Sequence, residues 1–170
     1  MSWVLRCVYS FYYGNYKLAL KHILACLKLI YSGGALKLNF KMSELIYSDT
    51  AVINNINNMP DINSLNNLLN LIFYCLQPVR DLIKKPMIIS SGYRCQQVNK
   101  LVGGKATSQH TKGMAVDFTV KGLSVKKIIE IIKNSNIEYD QLINEYDKWV
   151  HISFNKGKNR KQVLHIINGK

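Results

Sequence analysis

Two histidines and an aspartate in this chain have the types and the order that could hold a metal ion. His110 and Asp117 stand seven residues apart in "SQHTKGMAVDF", and His151 follows in "WVHISF". With four histidines and ten acidic residues in the whole chain, such groups are scarce. Two imidazoles and a carboxylate form a standard donor set for catalytic zinc, which leaves the fourth tetrahedral position to water. The spacing alone is weak, since a His and an Asp seven apart occur often by chance and exposed polar residues are the default. Whether the three meet depends on the elements that carry them.

"MAVDFTV" is rich in β-branched residues and reads as a strand. Its alternation sends Ala115 and Asp117 to one face and Val116 and Phe118 to the other. "YDQLINEY" and "WVHISF" read as an antiparallel hairpin around a turn at Asp147 and Lys148. A two-residue turn there pairs Glu145 with Val150 and Asn144 with His151, and a slip of one residue would reverse every side chain. "PMIISS" is a further short strand. Apolar residues at Ile62, Leu65, Leu69, Ile72, Leu76, Val79 and Ile83 recur at the helical period. They predict a long core helix entered at Pro60–Asp61, kinked or broken at Pro78 and ended by Pro86. "QQVNKLV" is a short helix closed by Gly103 and Gly104, and "SVKKIIEIIKN" is a helix capped by Ser124. The expected fold is α+β, a small antiparallel sheet packed with helices.

A length of 170 residues suits one domain, and 48% hydrophobic with 19% charged residues is a globular composition. The net charge of +13 sits at the ends. Residues 1–41 hold six Lys/Arg and no acid, residues 155–170 hold five and no acid, and residues 42–154 hold 12 basic against 10 acidic residues. The ends therefore read as solvated basic segments able to touch an anionic wall or membrane surface, with a basic tail from residue 155. Specific nucleic-acid binding is not expected, because no recognised motif lies between them.

Residues 1–35 form an expected extension. Lys17, Lys21 and Lys28 share one side of a predicted helix whose other side carries Leu20, Ile23, Leu27 and Ile30. Interrupting charges argue against a signal peptide or a spanning segment. "SGG" at 32–34 ends the helix, and the domain boundary is placed near residue 36, leaving 36–170 as the domain. Cys7, Cys26, Cys75 and Cys95 lack CxxC spacing and read as buried or incidental thiols of a reducing compartment.

Several ordered motifs together carry a resemblance. "SxHxxGxAxD" (Ser108, His110, Gly113, Ala115, Asp117), preceded by "SGYR" at 91–94 and followed by "WVHIS" at 149–153, resembles the zinc peptidases of the M15 family. Within it the chain looks like the group of D-alanyl-D-alanine carboxypeptidases and phage endolysins, which shares its fold with the hedgehog signalling domain. The likeness runs from about Met42 to Phe154.

The resemblance implies that His110, Asp117 and His151 bind Zn2+ and that Arg94 contacts the substrate's carbonyl or carboxylate. A guanidinium is a fixed fork of donors suited to that task. It also implies that Ser108 braces the loop beside the substrate and that Gly113 meets a backbone requirement no side chain allows. Many members place the general-base acid three residues before the last zinc histidine, but here that residue is Lys148. The pattern "DQLI-x-E" points instead to Glu145, with Asp147 nearer in sequence but inside the turn. His165 is expected to be structural, because a fourth protein ligand would close the open site. Trp149 and Tyr93 are expected to pack beside the site or line its entrance.

The implied activity is hydrolysis of peptidoglycan stem peptides by a monomeric enzyme, as a carboxypeptidase or an endolysin-type endopeptidase. The implied source is a phage or prophage product made in the bacterial cytoplasm and acting on the cell wall. The alternative is a non-catalytic, zinc-stabilised binding module of the same fold.

Overall fold

The computed structural model describes residues 38–167. The predicted basic helix of the extension, Cys7 and Cys26 lie outside the described residues. Asn39–Lys170 form a compact unit by themselves. Among the described residues no helix is long and apolar enough to cross a membrane.

Two short helices, α1 (Met42–Ile46) and α2 (Asp49–Ile53), open the described chain. The long helix follows as α3 (Ile62–Leu71), a π-helical turn (Ile72–Leu76) and α4 (Gln77–Ile83). Asp61 caps it, accepting from the Ser64 N–H at 2.7 Å. The expected disturbance at Pro78 takes the form of that π turn. Proline has no N–H for the carbonyl four residues back and its ring crowds it, so the ladder widens just before the ring. The Gln77 N–H accordingly reaches Ile72 O, five residues back. The apolar stripe differs from the expected one at its ends. Ile62 is 40% exposed, and Leu68 rather than Leu69 is fully buried.

The strands are β1 (Met87–Ser91), β2 (Ala115–Val120), β3 (Gln141–Glu145), β4 (Trp149–Ser153) and β5 (Gln162–Ile166). Helix α5 (Gln96–Leu101) and a 3-10 turn (Gln109–Lys112) separate β1 from β2, and α6 (Val125–Lys133) separates β2 from β3. They form one sheet in the order β1-β2-β4-β3-β5, antiparallel except for the β3–β5 pair. The fold is α+β. Val116, Phe118, Leu142, Val150 and Ile152 line one face and are fully buried. Helix α6 packs on β3 and β4 with Val125, Ile128, Ile129 and Ile132, the i, i+3, i+4, i+7 stripe of an amphipathic helix. Ser124 caps it, accepting from the Lys127 N–H at 3.2 Å.

The basic tail from residue 155 stays largely exposed, and within it residues 162–166 form β5. Arg160 anchors its approach. The guanidinium donates to the Asp140 carboxylate from Nε at 2.8 Å and from Nη2 at 2.6 Å, and the Arg160 N–H adds a third bond at 3.1 Å. The hairpin register is shifted by one from the expected pairing. Glu145 opposes Trp149, Asn144 opposes Val150 and Ile143 opposes His151. Residues 146–148 form the connection, with Tyr146 (φ 59°) and Asp147 (φ 55°) in the left-handed region. Asn144 stabilises it by donating to Asp147 Oδ1 at 2.6 Å and accepting from the Asp147 N–H at 3.0 Å. In the expected register Glu145 would have shared the buried face with Val150, an unpaired carboxylate under α6. That cost selects the observed pairing.

Candidate metal centre

Asp117 on β2 and His151 on β4 are directly opposed across the sheet, on the face that α6 does not cover. His110 reaches them from the 3-10 turn. Ser108 caps that turn, its Oγ accepting from the His110 N–H at 3.3 Å, and its carbonyl accepts from Thr111 Oγ1 at 2.7 Å. Gly113 ends the turn at φ 68°, and a Cβ there would run into Ser64 O on α3. Left-handed backbone and close approach both require glycine at this point. Asn67 of α3 holds the same turn through Lys112 O at 2.9 Å.

The donor atoms converge. His151 Nδ1 lies 2.8 Å from Asp117 Oδ1, and His110 Nε2 lies 3.2 Å from each of them. Tetrahedral zinc with bonds of about 2.0–2.1 Å sets its ligand atoms about 3.3 Å apart. The triangle therefore fits such an ion to within about half an ångström on its shortest side and about 0.1 Å on the other two. The tautomer of His110 fits as well. Its Nδ1 lies 2.7 Å from Gly92 O, a carbonyl that can only accept, so Nδ1 carries the proton and Nε2 turns its lone pair inward. Among the described residues, His110, Asp117 and His151 are the group that could hold a metal ion, and all three are buried. Burial alone would raise the Asp117 pKa, but His110 and His151 outweigh it and hold the carboxyl well below the usual carboxylate range.

Arg94 stands beside this group. Its Nη2 is 3.9 Å from Asp117 Oδ2, and its buried Nε has no hydrogen-bond partner. Burial lowers the guanidinium's pKa, while the charges of Asp117 and Glu145 raise it. The position of Arg94 is set by backbone on both sides. Its N–H donates to His110 O at 3.2 Å. The Asn58 side chain donates to Tyr93 O at 3.0 Å and accepts from the Cys95 N–H at 2.7 Å.

Glu145 lies on the same face as His151, two residues along β3 from Ile143, which His151 opposes. It is half-buried and accepts from Trp149 Nε1 at 2.9 Å. Asp147 is in the turn, exposed, bonded to Asn144 and 3.3 Å from Lys126. The Asn144 bond, then Lys126, lowers its pKa. His165 is exposed on β5 opposite Asn144, whose face is away from the metal donors. Tyr93 is buried, and Trp149 is half-buried at the site's edge.

Reading the chain alone missed three residues that build this site. Gly92 has no room for a side chain, since a Cβ would strike the Leu45 carbonyl, and its own carbonyl orients His110. Asn58 sits in an asparagine-rich stretch that offers no distinguishing signal. Asp140 is 1% exposed and accepts from Gln109, the neighbour of His110, at 2.8 Å as well as from Arg160.

No curated protein matches the chain. The family model of peptidase M15 matches residues 38–153, which span every residue of the site from Asn58 to His151. By that match, the chain belongs to the peptidase M15 family.

Proposed function

We propose that the chain is a zinc-dependent peptidase that hydrolyses peptidoglycan stem peptides. It would act at a terminal D-alanine as a carboxypeptidase, or within the stem as an endolysin-type endopeptidase. One observation carries this reading: a donor triangle of tetrahedral size shares a sheet face with a half-buried carboxylate, beside a half-buried arginine whose Nε is unpaired. A zinc ion bound by His110, Asp117 and His151 would supply Lewis acidity and lower the pKa of a water from about 15.7 to about 7.

The remaining work falls to the chain's own side chains. Gly92 O keeps the His110 ring in its binding tautomer. Arg94 offers the fork of its terminal nitrogens to the substrate's carbonyl or carboxylate and the charge that develops there. Glu145 is the acid/base, taking a proton from the attacking water and delivering it to the leaving amine. Asp147 is tied to Asn144 and Lys126 in the turn and takes no part. Ser108 acts through the turn that presents His110. Residues 36–170 carry the activity, and the source is a phage or prophage product acting on the cell wall.

The rival reading, a zinc-stabilised binding module, draws on Lys148 at the position where many relatives keep their base. Glu145 on the donor face favours the enzyme. The test is release of D-alanine or new amines from purified peptidoglycan and synthetic stem peptides, with metal content measured on each variant. Glu145→Gln should lose about 100- to 10,000-fold in kcat with metal retained, and Asp147→Asn should be unchanged. A protein that holds zinc, cleaves no wall peptide and is indifferent to both changes is the binding module.

A further inference from the structure

We infer that Trp149 is the positioning residue of the acid/base, its indole N–H pinning one oxygen of Glu145 so that the other is presented to the reacting groups. The inference rests on the reading of Glu145 above. Glu145 and Trp149 are the directly opposed pair nearest the turn, on the face that carries His151. Trp149 Nε1 lies 2.9 Å from Glu145 Oε2. An indole nitrogen can only donate and a carboxylate can only accept, so the bond has one direction and is charge-assisted.

The indole is itself held. Tyr146, in the turn at φ 59°, packs edge-on against it with ring centroids 5.7 Å apart and planes at 66°. The unusual backbone of the turn therefore has a use: it swings the Tyr146 ring onto the indole that grips the carboxylate. Glu145 needs such a grip, because a half-exposed glutamate has three torsions and would otherwise spread over several rotamers.

The experiment is a double-mutant cycle on kcat with a synthetic stem peptide, using the full chain loaded with zinc. Trp149→Phe should lower kcat by about ten- to a hundredfold with KM and metal content unchanged. The same change on a Glu145→Gln background should cost nothing further, because it acts through the carboxylate already removed. Replacing Trp149 with its benzothienyl analogue, sulfur for N–H in the same outline, should reproduce the loss even if phenylalanine disturbs folding. Full kcat in the analogue overturns the inference. So does an equal loss on the Glu145→Gln background, which would mean that Trp149 acts by packing or on substrate. Wild-type kcat in Glu145→Gln alone overturns the acid/base reading and this inference with it, so the two failures are told apart.

Discussion

The two faces of β2 are built on opposite principles. Val116, Phe118 and Val120 are at most 3% exposed, on the face that α6 covers further along the sheet. Their contribution is area removed from water, which has no direction and tolerates small shifts. Asp117, one residue over, is useful only because His151 stands opposite, His110 arrives from the 3-10 turn and Gly92 O sets the His110 ring. Its neighbours are held by bonds with fixed atoms at both ends. One strand thus carries a forgiving face and an exacting one, separated by a single residue of register.

Substitutions on the two faces should separate metal binding from folding, and the largest contrast is expected at His151. His151→Ala removes one of three donors, so metal content should fall from about one per chain to near zero with hydrolysis. Circular dichroism should still report the folded sheet, since the apolar face is untouched. Full metal retention would remove His151 from the donor set. Phe118→Ala is the mirror experiment. Deleting a fully buried ring should cost about 3–5 kcal/mol in urea unfolding, while the fraction that folds keeps its metal.

Gly113→Ala tests the joint between the faces. The new Cβ meets Ser64 O at a backbone φ of 68°, so both the conformation and the space oppose it. We expect a loss of more than about 1 kcal/mol in stability, with weaker metal retention because His110 rides on the displaced turn. Unchanged stability with unchanged metal would mean that the turn is not held against α3 as described.

The same contrast explains what could be read from the chain beforehand. The apolar face was legible from period-2 alternation in "MAVDFTV", and the donor set of His110, Asp117 and His151 from the ordered motifs around it that carry the resemblance, since the spacing alone is weak. The hairpin register was not, because alternation fits two registers equally well. Only the cost of burying Glu145 beside Val150 separates them, and that cost requires the position of α6. The partners of the site were hidden for a related reason. Gly92 acts through its carbonyl, which every residue has, and Asn58 through a fold that brings together residues 35 apart. Strand β5 was masked by the lysines and arginines around it, and its partner, β3, lies about 20 residues away. Pro78 announced a disturbance in the long helix but not its π form.

The smallest expected effect lies where the exacting face is tied to β5. Asp140 is buried, and its carboxylate is shared by Arg160 and by Gln109 beside His110. The Arg160 side chain is 55% exposed, so screening by water limits its contribution, and Arg160→Ala should lower the urea midpoint at pH 7 only slightly. The signature is in the pH dependence. The Arg160 bond, chiefly, lowers the Asp140 pKa below its ordinary value of about 3.9. A carboxylate depressed in the folded state stabilises fully above its unfolded pKa and loses that contribution as the pH falls through the folded one. Wild type and Arg160→Ala should therefore differ in urea midpoint at pH 7 and converge as the pH drops below about 4. A difference that stayed constant through the acid range would assign Arg160 to packing of its stem. Convergence would identify the Asp140 charge as the link that fastens a strand beyond the family match to the turn bearing His110.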